Sequence, residues 1–412
     1  MINTAFGSIS RTTSGAPTPF TLPKYVPELD GLRAAAILSV MCIHTASRFQ
    51  FLHLDGAFAF GWIGVDLFFV LSGFLITGIL LDSGASKHYF RNFYARRILR
   101  IWPIYFLLIF IAFAVFPLIS ARQPYLMEHL PHETRSAWVY LAFLQNLIRC
   151  GQPNQLVLGV TWSLAIEEQF YLVWPLLVRF ASKRTLAGIV IAILAVSPLL
   201  RWLVSFHFPP NWIYQNTACR LDGLALGALI AIAVRSGWAS RNLLLTWSLV
   251  ALAFGTLGSF LMVPPGVTDP APPLAFTSLA LTFGGILGIT LCLVGRETLL
   301  NRVLTFAPLR YVGRISYCLY LVHLPIFEIL NSNFVKRKAF FGETTAGDIH
   351  VILIGFTFSL LIATLSWYLV ESPILRLKRL FVDQSEGRHS SRKVSECLLQ
   401  PDVASSGGLP PL

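Results

Sequence analysis

Arg33 and His44 stand eleven residues apart in ELDGLRAAAILSVMCIH, residues 28–44, a stretch otherwise apolar enough to enter a bilayer. On an α-helix eleven residues make close to three turns, so both side chains fall on one face, roughly 16 Å apart along the axis. A cation then sits near one membrane surface and a titratable imidazole sits deeper. Ionisable groups inside a membrane are costly and mark pathways or reacting sites. The competing reading is a snorkelling interfacial arginine and a buried, hydrogen-bonded histidine.

Four further stretches carry polar groups where lipid should forbid them. In GVDLFFVLSGF, Gly64 and Gly73 permit close helix contact, Ser72 lies beside Gly73, and Asp66 is placed either to fix the tautomer of a nearby histidine or to pair structurally. In RRILRIWPIYF, Arg97 and Arg100 are three apart on one helical face. Such a pair grips phosphates bidentately, although basic residues at a membrane surface also serve as topology anchors. TWSLAIEEQFYLVWP holds the adjacent carboxylates Glu167 and Glu168, with Tyr171 one turn below Glu167. Left unpaired they would cost on the order of 2.5 to 3.5 kcal/mol each, so a positive or proton-donating partner is expected. In RISYCLYLVHLPIFEI, Ser316, Tyr320 and His323 share a face by near-helical spacing, and Pro325 after His323 also fits a structural role for that histidine.

These residues need elements to hold them, and composition names the kind. The 412-residue chain is 55% hydrophobic and only 13% charged, the make-up of a polytopic membrane protein. Its net charge of +12 sits between hydrophobic runs, so the positive-inside rule accounts for it better than a nucleic-acid partner does. Ten spans are predicted, at about 31–49, 57–81, 101–120, 161–180, 186–204, 219–235, 243–262, 274–294, 314–333 and 348–370, each close to the ~20 residues a bilayer requires. The basic loop with Lys87, Arg91, Arg96, Arg97 and Arg100 is expected in the cytoplasm, which places both termini there as well. Lys336, Arg337 and Lys338 fall in an outer loop against that rule. The run at 137–148 is short for a span and reads as an interfacial or re-entrant helix in the long outer loop 121–160. Residues 1–24 and 377–412 read as disordered cytoplasmic segments flanking a membrane domain at 25–376, the tail beginning basic.

Several alternatives lose support. Glu128, His129, His132 and Glu133 have metal-like spacing without helix register or further ligands, so a solvated loop is the better reading and no metal site is expected. The six cysteines lack metal-ligand spacing, while Cys150 and Cys219 would both lie near the outer surface, where a disulfide is conceivable. No phosphate-binding P-loop, Rossmann fingerprint, metalloprotease helix or G-x-S-x-G elbow is present, which disfavours ATP- or NAD-driven chemistry. The internal repeat that many transporters show is absent.

The strings ELDGLR, GVDLFFVLSGFLIT, FYARRILRIWPIYF, TWSLAIEEQFYLVWP and SYCLYLVHLPI, with the Arg33 to His44 spacing, resemble in order the motifs of the membrane-bound acyltransferase 3 family, over about residues 25–375. The resemblance implies an all-α, multi-pass protein of the bacterial inner membrane with a ten-span core, in agreement with the hydropathy count. It implies an O-acyltransferase that uses acyl-CoA, most often acetyl-CoA, as donor substrate without a permanently bound cofactor, and that modifies a cell-surface or exported carbohydrate or glycolipid. The family's Arg and His pair falls on Arg33 and His44, its basic pair on Arg97 and Arg100, and its Glu-containing segment on Glu167 and Glu168. Some relatives carry a hydrolase-like domain after the last span; this chain has only its polar tail there, so the membrane core or a separate protein is expected to finish the chemistry.

The expected mechanism places donor phosphates on Arg33, Arg97 and Arg100, with the thioester carried along one continuous tunnel to His44. His44 would act as general base, tuned by Asp66 or Glu167, or as the site of an acyl intermediate. Glu168, Tyr171, Ser72, Tyr320 and His323 are the supporting candidates. Two rival readings stay open: a translocator of a sugar or lipid-linked sugar, and an acyltransferase whose acceptor is a lipid, protein or small molecule.

Overall fold

A computed structural model describes residues 20–23, 25–46, 61–118, 136–148, 158–262, 272, 274–331 and 345–381. Among these residues every regular element is helical, and ten helices have 15 residues or more. They are α1 (Glu28–Ala46), α2 (Gly64–Asp82), α3 (Tyr89–Phe110), α5 (Thr161–Phe180), α6 (Lys183–Val204), α8 (Leu221–Arg235), α9 (Arg241–Met262), α10 (Ala275–Leu293), α12 (Ala307–Asn331) and α13 (Thr345–Ser366). Four short helices lie between or after them: α4 (Ala137–Leu141), α7 (Pro210–Gln215), α11 (Leu299–Leu304) and α14 (Ser372–Arg376).

Seven of the helical runs are long and apolar enough to cross a membrane, so the chain is a multi-pass membrane protein. The three expected spans outside that set are α1, α5 and α8. Physical reasons are plain in their residues: α1 carries Glu28, Asp30, Arg33 and His44, α5 carries Glu167, Glu168 and Arg179, and α8 has only 15 residues and includes Asp222 and Arg235. All of these polar groups except the exposed Arg179 are buried or half-buried in the bundle.

Layering follows burial. In α2 and α10, 72% and 67% of the apolar window is buried, whereas in α6 and α9 only 22% and 17% is, so the first pair is central and the second faces lipid. Side chains such as Trp202 on α6 and Phe254 and Phe260 on α9 form the outward apolar surface. A close approach in the centre joins α2 to α8, where a Cβ on Gly73 would collide with the Leu224 carbonyl and one on Gly227 with that of Val70. Only glycine permits this helix separation.

Around the core, α1 packs between α12 and α2, and α12 packs on α13. The segment at 137–148 contains α4 and then turns back into the bundle rather than lying at its surface. Gln145 and Asn146 are wholly buried; Gln145 donates to the Tyr105 hydroxyl and the Thr161 carbonyl, and Asn146 donates to Thr217. At one end of the bundle Arg96 donates twice to the Phe381 carbonyl, which docks the segment Leu377–Phe381 on the basic start of α3. Cys219 is a buried free thiol, and its suggested partner Cys150 lies outside the described residues, as do residues 128–133 and 336–338.

Candidate functional site

At the basic end a cavity of about 380 Å³ opens among α1, α2, α3, α5 and α12. Arg33 comes from the second turn of α1, and Arg97 and Arg100 come from one face of α3; all three line the cavity, as the spacing predicts. Among the described residues none of them joins an ion pair. Three guanidiniums facing one space without a bound carboxylate make a site for an anionic ligand with more than one negative group. Tyr171 lies under the Arg97 guanidinium, 5.4 Å from ring centroid to Cζ, in a cation–π arrangement that steadies it.

Glu167 enters the same cavity with both carboxylate oxygens occupied: Ser72 donates to one at 2.7 Å and the Tyr171 hydroxyl to the other at 2.8 Å. These are the proton-donating partners that a glutamate at this depth requires. Glu168 points elsewhere. Its Oε2 accepts a long 3.4 Å bond from the Trp102 indole on α3, so the two adjacent carboxylates do not act on one space. On α12, Ser316 and Tyr320 line the cavity too, as their shared face predicts.

His44 lies beyond, in a second cavity of about 240 Å³ that is walled by Trp62, Trp162 and Tyr214. In place of the expected single tunnel from the arginines to the histidine there are two adjoining cavities, and Val65 and Tyr320 line both. Tyr320 is held where they adjoin by a 2.7 Å contact to the Ser163 hydroxyl and by donating to the Val160 carbonyl at 3.0 Å.

The expected tuning of His44 by Asp66 or Glu167 is likewise not the geometry observed. Asp66 accepts from Arg220 at 2.8 Å, with side chains 5% and 1% exposed, and Glu167 belongs to the first cavity. The ring that meets His44 is that of His323, Nδ1 of one to Nε2 of the other at 2.9 Å.

Arg220 was not singled out by sequence, nor was the neighbouring pair Arg201 and Asp222, bonded at 2.7 Å and buried. Their signal was present as charges in the apolar string ACRLDGLALG and in PLLRWLV. Arg220 packs over Phe276 at 4.0 Å and beside Tyr214 at 5.0 Å, so it braces the wall behind the His44 cavity. Arg235 lines the basic cavity and is neutralised by Asp82 at 2.9 Å.

A family model described as an acyltransferase domain matches residues 26–368. The O-acetyltransferase OatA of Staphylococcus aureus is 28% identical over 408 residues, covering 94% of this chain and 64% of the relative. The peptidoglycan O-acetyltransferase OatA of Listeria monocytogenes is 29% identical over 382 residues, covering 85% of this chain and 56% of the relative. The chain thus spans less than two thirds of the length of these curated relatives. No solved structure matches it.

Proposed function

The chain belongs to the acyltransferase 3 family, matched over residues 26–368, and we propose that it is an O-acyltransferase moving an acyl group, acetyl first among the candidates, from acyl-CoA to a carbohydrate hydroxyl. The observation that carries the reading is the pair of adjoining cavities, one lined by Arg33, Arg97 and Arg100, which join no ion pair among the described residues, and the other holding His44. The acceptor class is taken from relatives whose names are O-acetyltransferase and peptidoglycan O-acetyltransferase. The bacterial cytoplasmic membrane is the proposed location, with the basic end inside by the positive-inside rule.

Arg33, Arg97 and Arg100 would bind the donor phosphates, and the pantetheine arm would run along the apolar lining toward Val65 and Tyr320. Aromatic walls around His44 suit the C–H faces of a sugar ring. Nε2 of His44 takes the proton of the acceptor hydroxyl as its oxygen attacks the thioester carbonyl. The C–O bond forms, the C–S bond breaks, and the proton returns from His44 to the leaving thiolate, giving the ester and free CoA. Glu167, fixed by Ser72 and Tyr171, limits the positive charge of the donor cavity.

Protein in lipid vesicles, given labelled acetyl-CoA and peptidoglycan fragments, should release CoA and label the glycan. His44→Ala should insert and fold yet lose turnover by at least ~10²-fold, the usual contribution of a general base. Wild-type turnover in that variant would refute the assignment. A translocator would move the glycan with no release of CoA.

A further inference from the structure

His323 is wholly buried on α12, 279 residues from His44 in sequence, yet its Nε2 lies 2.9 Å from the Nδ1 of His44. The ring centroids are 5.1 Å apart, greater than the nitrogen separation by about one ring's width, and the planes are tilted by 33°. The rings therefore meet edge to edge, nitrogen to nitrogen, as a hydrogen bond requires, and do not stack.

The other nitrogen of His323 decides which ring donates. Nδ1 of His323 is 3.1 Å from the Leu319 carbonyl, one turn back on the same helix. A carbonyl oxygen only accepts, so this Nδ1 carries the proton. With one proton on the ring, Nε2 of His323 has the lone pair and accepts from Nδ1–H of His44. The second nitrogen of His44, Nε2, then carries the lone pair, and this is the nitrogen needed for proton abstraction. The carbonyl of a helical turn is a fixed reference, so the chain Leu319 carbonyl, His323, His44 transmits a defined tautomer from α12 to α1.

We propose that His323 is a positioning residue that sets the tautomer and ring orientation of His44, the task a carboxylate performs in other histidine sites. The proposal rests on the reading of His44 as the general base. It differs from a packing role in one respect: what His323 supplies is a hydrogen-bond acceptor at the position of Nε2, and any side chain that restores the acceptor there should restore the function. Glutamine does so, because its Oε1 reaches about as far from the backbone as histidine Nε2.

The test compares His44→Ala, His323→Leu, His323→Phe and His323→Gln in vesicles, reading CoA release at varied acetyl-CoA concentration and thermal unfolding of each protein. His323→Leu and His323→Phe should lower kcat ~10²-fold or more, within the range of general-base contributions, with KM for acetyl-CoA unchanged because the arginine cavity is untouched. His323→Gln should return kcat to within about tenfold of wild type. A folded His323→Gln as inactive as the apolar variants overturns the proposal, as does a folded His323→Leu or His323→Phe with wild-type kcat, or an effect confined to KM. Should both apolar variants fail to fold, the glutamine variant alone decides: near-normal turnover supports the acceptor role and lost turnover refutes it. Turnover retained in His44→Ala would instead remove the reading beneath the proposal, whereas an inert His44→Ala beside a fully active His323→Leu removes only the proposal.

Discussion

Removing the Asp66 carboxylate should destabilise the bundle more than it impairs any proton transfer. Its partner Arg220 is 1% exposed, and among the described residues its Nε and Nη1 have no hydrogen-bond acceptor, so the 2.8 Å bond from Nη2 to Asp66 is the guanidinium's principal polar contact there. Asp66→Leu leaves that charge among Phe276, Tyr214, Phe69 and Trp162. Breaking one partner of a buried ion pair costs about 3–5 kcal/mol. At 1.4 kcal/mol per factor of ten, the folded-to-unfolded ratio falls by roughly 10² to 10³·⁵. The aromatic faces return part of this, about 2 kcal/mol for a desolvated cation–π contact, which points to the lower end of the range. The double variant Asp66→Leu, Arg220→Met removes both charges and should recover most of the loss, since apolar replacement of a buried pair is often neutral. Thermal unfolding in detergent measures stability and CoA release measures activity. The reasoning is refuted if the single variant is as stable as wild type, or if the double variant is no more stable than the single. A stable double variant without turnover would return Asp66 to the chemistry.

Two further perturbations probe separate parts of the structure. Arg97→Lys and Arg100→Lys keep the charge but lose the forked geometry, so each should raise KM for acetyl-CoA about 5- to 10-fold, a loss of ~1–1.5 kcal/mol per charge-assisted bond; steady-state kinetics with kcat also reduced by the same factor would argue against a pure donor-binding role. Gly73→Ala places a Cβ against the Leu224 carbonyl of α8, and overpacking of this kind should cost about 1–3 kcal/mol. Unfolding midpoints would show it, and an unchanged midpoint would mean that α2 and α8 are not held at this separation.

What could be read in advance divides by distance along the chain. The ten long helices follow the ten apolar runs because hydropathy is a local property, and each predicted span overlaps a helix. Arg33, Arg97 and Arg100 line one cavity, a grouping that the faces of two helices already suggest. The pairs Asp66 with Arg220 and His44 with His323 are 154 and 279 residues apart, and no local spacing records which helix meets which. For the same reason the place of Tyr320 between two cavities was invisible: it depends on Ser163 and Val160 of another segment capturing one hydroxyl. The helices that fell short of an apolar span, α1, α5 and α8, are the ones that bring Arg33 and His44, Glu167, and Asp222 to the interior. A weak membrane signal and a strong chemical one were the same residues.

Tyr320 and Val65 line both cavities, so on the proposed reading they stand where a donor reaching up from the arginines and an acceptor resting beside His44 have to meet. The phenol, anchored through Ser163 and Val160, is then the threshold the thioester must reach, and the side chain at this one position governs whether the two substrates touch.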